Sequence, residues 1–444
     1  MGYEGHFSAN ESYLFDESIC DGFGQEMFEI AQRLWPLNRS LTGDGNRATL
    51  QILESVVNGF KMFEMESGSK VFDWSVPEEW GIRQAWILTP DGQKICDFAE
   101  NNLHVVGYSA AIDTELELED LLPHIHSLPD QPTAIPYVTS YYKRTWGFCA
   151  SEDLKKSLGP GKYRVFIDSE HFNGTMSYGE VLIPGREETE VLLSTYICHP
   201  SMANNELSGI VLAQQLARWI QGIPDRRHTY RIVFVPETVG AIAYISRNLH
   251  QLKASVVAGY VLTCVGDERA FSFLPSRKGD SLADTIGVAA LGSLASDFLH
   301  YSWQDRESDE RQYGAPGVDL PVASVMRSKY GTYPEYHTSL DKLGSVVTSN
   351  GLAGSFLAYM RIIQMLELDS KPRVTTLCEP QLGKRGLYPD IGIKGNYEDL
   401  IVINELIGNS DGQTTLIEMM NSLGVSFREI RSGFNLLAAE GLLD

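Results

Sequence analysis

The chain has 444 residues, which is long for one ordinary domain and sets an expectation of roughly two to four. With 43% hydrophobic and 21% charged residues it has the make-up of a globular protein with a substantial core. Acidic residues outnumber basic ones, 58 to 36, for a formal charge of -22, which argues against nucleic acid as the main substrate.

In chain order, the N-terminal MGYEGHFSANESYLFDES lacks both a basic region and an apolar core, so no signal peptide is expected. Residues 22–57 read as two helices, with apolar stripes at Phe28, Ile30, Ala31 and Leu34 and at Ala48, Leu50, Ile52, Leu53 and Val56. WPLNRSLTGDG between them is a turn-rich linker. Phe60–Met65 reads as a short strand. From Val71 to about Ala150 the character changes to short aromatic, β-prone runs separated by turns. Trp74, Trp80, Trp86, Tyr141, Tyr142 and Trp146 in this part are expected to fill a small core rather than to line a binding surface.

Tyr163–Asp168, Gly179–Pro184, Val191–Ile197, Tyr230–Pro236 and Val256–Val265 are strand candidates for one α/β layer, and helices follow the third and fourth. Leu282–Leu299 and Leu352–Leu366 are helical by period. After a Gly- and Pro-rich break at 378–395, three amphipathic stretches, Tyr397–Ile407, Thr415–Leu423 and Phe427–Glu440, describe a small helical module. No uninterrupted apolar run is long enough to cross a bilayer. The cysteines are scattered without a CxxC pair, which fits a reducing cytoplasm.

Chemistry-bearing residues gather at predicted strand ends: His199 after Val191–Ile197, Glu237 after Tyr230–Pro236, Thr263 and Cys264 in the Val256 run, and His337 after the polar, aromatic loop RSKYGTYPEYH. In an open α/β sheet these ends share one edge, where sites are built. Two imidazoles and a carboxylate suit zinc with an open position, and a free carboxylate beside it suits a general base. Each residue also has an ordinary structural reading: Glu237 as a helix cap, His199 and His337 as loop histidines.

The motifs RSLTGDG, VFDWSVPEEW, NLHVVGYS, IPYVTSYYKRTWGFC, CHPSMANNELSG, FVPETVG, PEYHTSLD and CEPQLGKRGLYP together resemble the zinc aminopeptidase superfamily of bacterial leucyl aminopeptidases, glutamate carboxypeptidases and glutaminyl cyclases. Within it, the chain looks closest to an aminopeptidase-like family of bacterial proteins often found with biosynthetic genes. The resemblance implies an α/β fold, an aminopeptidase-like (phosphorylase/hydrolase-like) mixed sheet with helices on both faces. It also implies a discontinuous α/β domain at 20–68 and 151–377, an inserted β-rich domain at 69–150 and a winged helix at 385–444. It matches Glu237 to the general base and His199 and His337 to metal ligands. The bridging aspartate of the two-metal enzymes is matched by Asn205, and two further carboxylate ligands by Thr238 and Thr263.

The expectation is therefore one zinc at most, held by His199, Asn205 and His337, with Arg327, Tyr330 and Tyr333 as substrate contacts. The implied activity is cleavage of an amide in a small peptide or aminoacyl conjugate. The alternative is a non-catalytic binding protein that kept the fold and lost its metals. The winged-helix segment, with Arg428 and Arg431 but no lysine from Asn396 onward, argues for a protein partner or a homo-oligomer rather than DNA.

Overall fold

The computed structural model describes residues 7–141, 143–387 and 397–444. Tyr142 of the aromatic set, Tyr388 and Pro389 of the last motif, and Asn396 lie outside the described residues.

A mixed eight-stranded sheet forms the centre. Its order is Phe60–Glu66, Thr175–Ile183, Thr229–Val235, Glu190–Tyr196, Val256–Val261, Val322–Met326, Ser272–Leu274 and Leu299–His300. The four from Thr229–Val235 to Val322–Met326 run parallel. Antiparallel strands flank them on both sides. Alternation along Glu190–Tyr196 divides the core: Val191 and Leu193 pack with helices Cys20–Leu34, Ser208–Gln221 and Ser349–Leu368. Leu192 faces the other way, toward helix Val239–Ser255. A strand buried on both faces needs apolar residues at successive positions, which is why this run shows no polar alternation.

A second sheet, Lys94–Ile95, Glu79–Leu88, Lys162–Phe172 and Ile112–Glu117, has its own core around Ile87, Phe148, Val165 and Ile167. Lys162–Phe172 thus belongs to the β-rich unit and not to the central layer, and the boundary expected at 150 falls after Phe172. The reason is pairing: Tyr163, Val165 and Ile167 alternate with exposed or half-buried residues, as in a sheet with one wetter face, and they register against Glu79–Leu88. Trp80 is core, as expected of the aromatics, but Trp74 and Tyr141 line a cavity. The helix expected over Leu282–Leu299 ends at Gly292, and Leu299–His300 is an edge strand. The apolar run Val322–Met326 is a central strand that the sequence reading passed over.

The last three helices, Tyr397–Asn409, Leu416–Leu423 and Phe427–Ala439, pack onto the α/β body through Leu406, Leu416 and Ile430. Arg373 and Val374 bridge to Asp411 and Leu443, so this module starts before the expected residue 385. Two of its arginines contact the N-terminal part of the chain. Arg431 pairs with Glu11 at 2.8 Å, and Arg428 lies over the rings of Phe7 and Phe15. Among the described residues no helix is long and apolar enough to cross a membrane.

Candidate active site

The carboxyl ends of the parallel strands open into a cavity of about 410 Å³ between the α/β body and the β-rich unit. His199, Glu237 and His337 line it. Asn205 lies just beneath, buried, with its Oδ1 3.0 Å from His337 Nε2. Four of the sequence-predicted residues thus come together.

His199 follows Glu190–Tyr196, where Pro200 ends the run. A turn of π-helix, Ala203–Leu207, then leads into helix Ser208–Gln221. Such wide turns collect at functional sites because they re-aim side chains. Here the turn points Asn205 at His337 and Glu206 at His199. Glu206 Oε2 accepts the His199 backbone N–H and lies 3.3 Å from Nδ1, while Oε1 takes Arg39 Nε at 2.9 Å. Arg39 and Glu206 are fully buried, and Arg39 also donates to Leu34 O at 2.7 Å. A carboxylate on Nδ1 fixes the tautomer and aims Nε2 at the cavity, as second-sphere carboxylates do for metal-binding histidines. That Nε2 is 3.7 Å from Glu237 Oε2.

Glu237 leaves Thr229–Val235 through a turn whose next residue, Thr238, has φ +62°. A β-branched residue there costs on the order of 1–3 kcal/mol. The Thr238 N–H bond to Asp309 Oδ1 at 2.8 Å helps to hold the turn. His337, at φ +55°, is held similarly: its carbonyl accepts the Tyr137 N–H at 2.9 Å, and its ring stacks on Tyr336. The Tyr137 ring, from the β-rich unit, lies 5.1 Å from His199 and 5.2 Å from His337 between centroids. Asp341 accepts the backbone N–H groups of Asn204 and Asn205 at 2.8 and 3.0 Å, and burial pushes its pKa up to about 6.

The two imidazoles titrate in opposite directions. Burial works against a charge on His199, but the hydrogen bond and charge of Glu206, with Glu237, outweigh it and raise its pKa. Burial and the neighbouring His199 lower His337 to about 3. Burial raises Glu237, with His199 and Arg311 pulling the other way.

The spacing of the two histidine rings is that of a pair sharing one zinc. The histidine ring centres are 5.5 Å apart. Two imidazoles on one tetrahedral ion, with Zn–N about 2.0–2.1 Å, put their ring centres roughly 5 Å apart. Asn205 Oδ1 adds a neutral oxygen beside His337. This donor set does not accommodate two ions. Thr263 is committed to Tyr196 and the Asn205 carbonyl, and Thr238 Oγ1 accepts from Arg311 at 2.8 Å, which brings a guanidinium to the position a second cation would need. Among the described residues, the one group of three histidine, cysteine or carboxylate donors within 4.8 Å of one another is Cys198, His199 and Glu237, without His337. Cys198 is a poor third ligand: burial, Glu206 and Glu237 push its pKa well up, and its sulfur accepts the Glu237 N–H at 3.2 Å.

Arg327, Tyr330 and Tyr333, expected as substrate contacts, do not line the cavity. All three are buried. Arg327 lies over Phe271, Tyr330 OH donates to Glu310 at 2.6 Å, and Tyr333 OH donates to Asp341 at 3.2 Å. Their loop packs as support beneath His337. The groups that sequence reasoning missed are Arg39, Glu206, Tyr137 and Arg311. Arg39 sits in RSLTGDG, which reads as a linker and as one of the family motifs but with no role for its arginine, and nothing in the sequence links it to residue 206. A further cavity, of about 840 Å³, lies at the seam with the C-terminal module. Its arginines 186, 227 and 431 are paired with acids, and it holds none of these groups.

This geometry, an aminopeptidase-like sheet with a site at its carboxyl edge, agrees with what the chain is similar to. Residues 28–369 match the family described as a domain of unknown function, DUF4910, and residues 370–444 match a winged helix-turn-helix family. The chain belongs to that DUF4910 family and carries the winged helix behind it. It is 39% identical, over 95% of its length and 96% of the relative's, to a Clostridium acetobutylicum protein named provisionally for polysaccharide biosynthesis, with an aminopeptidase-like domain. A crystal structure of a provisionally named peptidase from the same organism superposes with a TM-score of 0.90 at 37% identity, covering 96% of this chain and 98% of that one. A zinc aminopeptidase from Bacillus subtilis shares the fold, with a TM-score of 0.56 at 13% identity over 77% of this chain and 94% of its own. The family match starts the winged helix at 370, in agreement with the bridges at Arg373 and Val374.

Proposed function

We propose that the chain is a single-zinc amidohydrolase acting on a small peptide or aminoacyl conjugate. One observation carries the reading: His199 Nε2 faces Glu237 at 3.7 Å with its other nitrogen held by the buried Glu206–Arg39 pair, and His337 stands one ion's width away. His199, His337 and Asn205 would hold the metal, which when bound supplies a polarised carbonyl and a water of lowered pKa. Glu237, 23% exposed to the cavity and of raised pKa, is suited to take a proton and return it to a leaving amine. Tyr137 covers both histidines and limits water. The relative's provisional name supports a role in assembling a biosynthetic conjugate rather than in digesting protein.

The second reading, a binding protein without turnover, is favoured by the neutral Asn205 and by Thr238 and Thr263 at expected ligand positions. Zinc content of the purified chain, followed by an aminoacyl amide panel, separates the two. Bound zinc with turnover supports the first reading, and an intact pocket without either supports the second. The pairing of Arg431 with Glu11 and the absence of lysine from Asn396 onward support a protein contact or self-association over DNA. Six free cysteines, five of them buried, support a reducing compartment such as the cytoplasm.

A further inference from the structure

We infer that Arg311, with Arg306 and Arg277 beyond it, holds a phosphate or diphosphate tail of the substrate whose other end reaches Glu237. The reaction cavity does not end at Glu237. Arg311 and Gln312 form its far wall and are shared with an adjoining open groove of about 710 Å³. The groove is lined by Arg277, Arg306 and Arg311, with Trp303, and by no acidic residue. That is a local reversal in a chain with 58 acids against 36 bases.

Two of the three guanidinium groups make hydrogen bonds to neutral groups only. Arg306 lies 4.8 Å over the Trp303 ring and donates to its carbonyl, and Arg311 donates to Thr238 Oγ1. Among the described residues neither has a carboxylate partner. Arg277 is paired with Asp319, yet its Nε is buried with no partner. Guanidinium forks match phosphate oxygens in pairs. One carboxylate would engage one fork, whereas three along a groove suit a tail with several negative oxygens. Trp303 gives the tail an apolar wall. Arg311 and Glu237 line the same cavity, so a tail held there leaves the rest of the molecule beside the base.

The inference borrows from the proposed function only which end reacts; the groove itself depends on neither zinc nor turnover. The test is therefore calorimetric titration of the full-length, metal-stripped chain with inorganic pyrophosphate, so that the probe meets guanidinium and not zinc. Binding should weaken by about tenfold in Arg311→Gln and in Arg306→Gln, should weaken with added salt, and should be unchanged in Arg218→Gln, whose residue pairs with Glu26 elsewhere. Circular dichroism of each variant checks that the fold is kept. No binding at millimolar pyrophosphate, or binding that the two groove variants leave intact, would overturn the proposal. Citrate binding more tightly than pyrophosphate would overturn the phosphate assignment. If amidase assays fail while these results hold, the groove stands and the hydrolase reading falls.

Discussion

His199 sits among charges, whereas His337, 5.5 Å away across the same cavity, sits among neutral groups. Behind His199 stand Glu206 and Arg39, fully buried, and in front stands Glu237. Behind His337 are an amide, Asn205, and in front two aromatic rings, Tyr137 and Tyr336. The comparison shows where the charge balance of the site lies. The carboxylate of NNELSG is on residue 206, behind a histidine, and not on 205, between the two. One half is built to orient a ligand nitrogen, and the other offers a neutral imidazole without an anion to draw a cation in.

The largest expected effect breaks the charged half at its open end. Glu237→Gln should lower any amide turnover by about 10²–10⁴ while leaving zinc affinity nearly unchanged. A parallel fall in zinc affinity would make Glu237 a ligand and not a base. Next, Arg39→Met strands the Glu206 carboxylate in the core. It should destabilise the chain by about 3–5 kcal/mol in chemical denaturation. A loss below about 1 kcal/mol would mean that the buried pair does not brace His199. The neutral half is sharpened by Asn205→Asp, which puts an anion beside His337. Zinc should bind roughly tenfold more tightly, about 1.4 kcal/mol. Equal affinity in the two forms would show that residue 205 is not a ligand.

The smallest effect is in titration. In the metal-free chain His337 should stay neutral to about pH 3, while His199 protonates first as pH falls. The signs oppose. The folded pKa of His337 lies below its unfolded value, about 6.5, so its contribution to stability is present above that value and is lost as pH falls toward about 3. His199 is raised, so its contribution is full below the unfolded value and is lost as pH rises through the folded one. Imidazole proton shifts followed by NMR read both. A common midpoint would erase the contrast. Zinc must displace the proton on His199, so zinc affinity should rise with pH over the range in which His199 deprotonates.

Much of this was legible before any coordinates. Buried parallel strands announce themselves as unbroken apolar runs, and Val191–Ile197 and Tyr230–Pro236 place His199 and Glu237 at one sheet edge by topology alone. Lys162–Phe172 was misassigned because periodicity identifies a strand without naming its partner. Arg39 was invisible because its ion pair spans 167 positions and depends on how two loops pack. The loop carrying Arg327, Tyr330 and Tyr333 reads as polar and aromatic in sequence. Whether such side chains face a cavity or the core is decided by the backbone, here by the turn at His337 and the hydrogen bonds to Glu310 and Asp341.

The central claim is a one-ion site shared by the two unlike histidines. The most direct measurement is zinc stoichiometry of the full chain by titration, with metal content measured after dialysis, for the natural sequence and for His199→Gln and His337→Gln. The account predicts at most one zinc per chain, with binding lost in each variant. Two zinc ions per chain, or one that survives both substitutions, would contradict it.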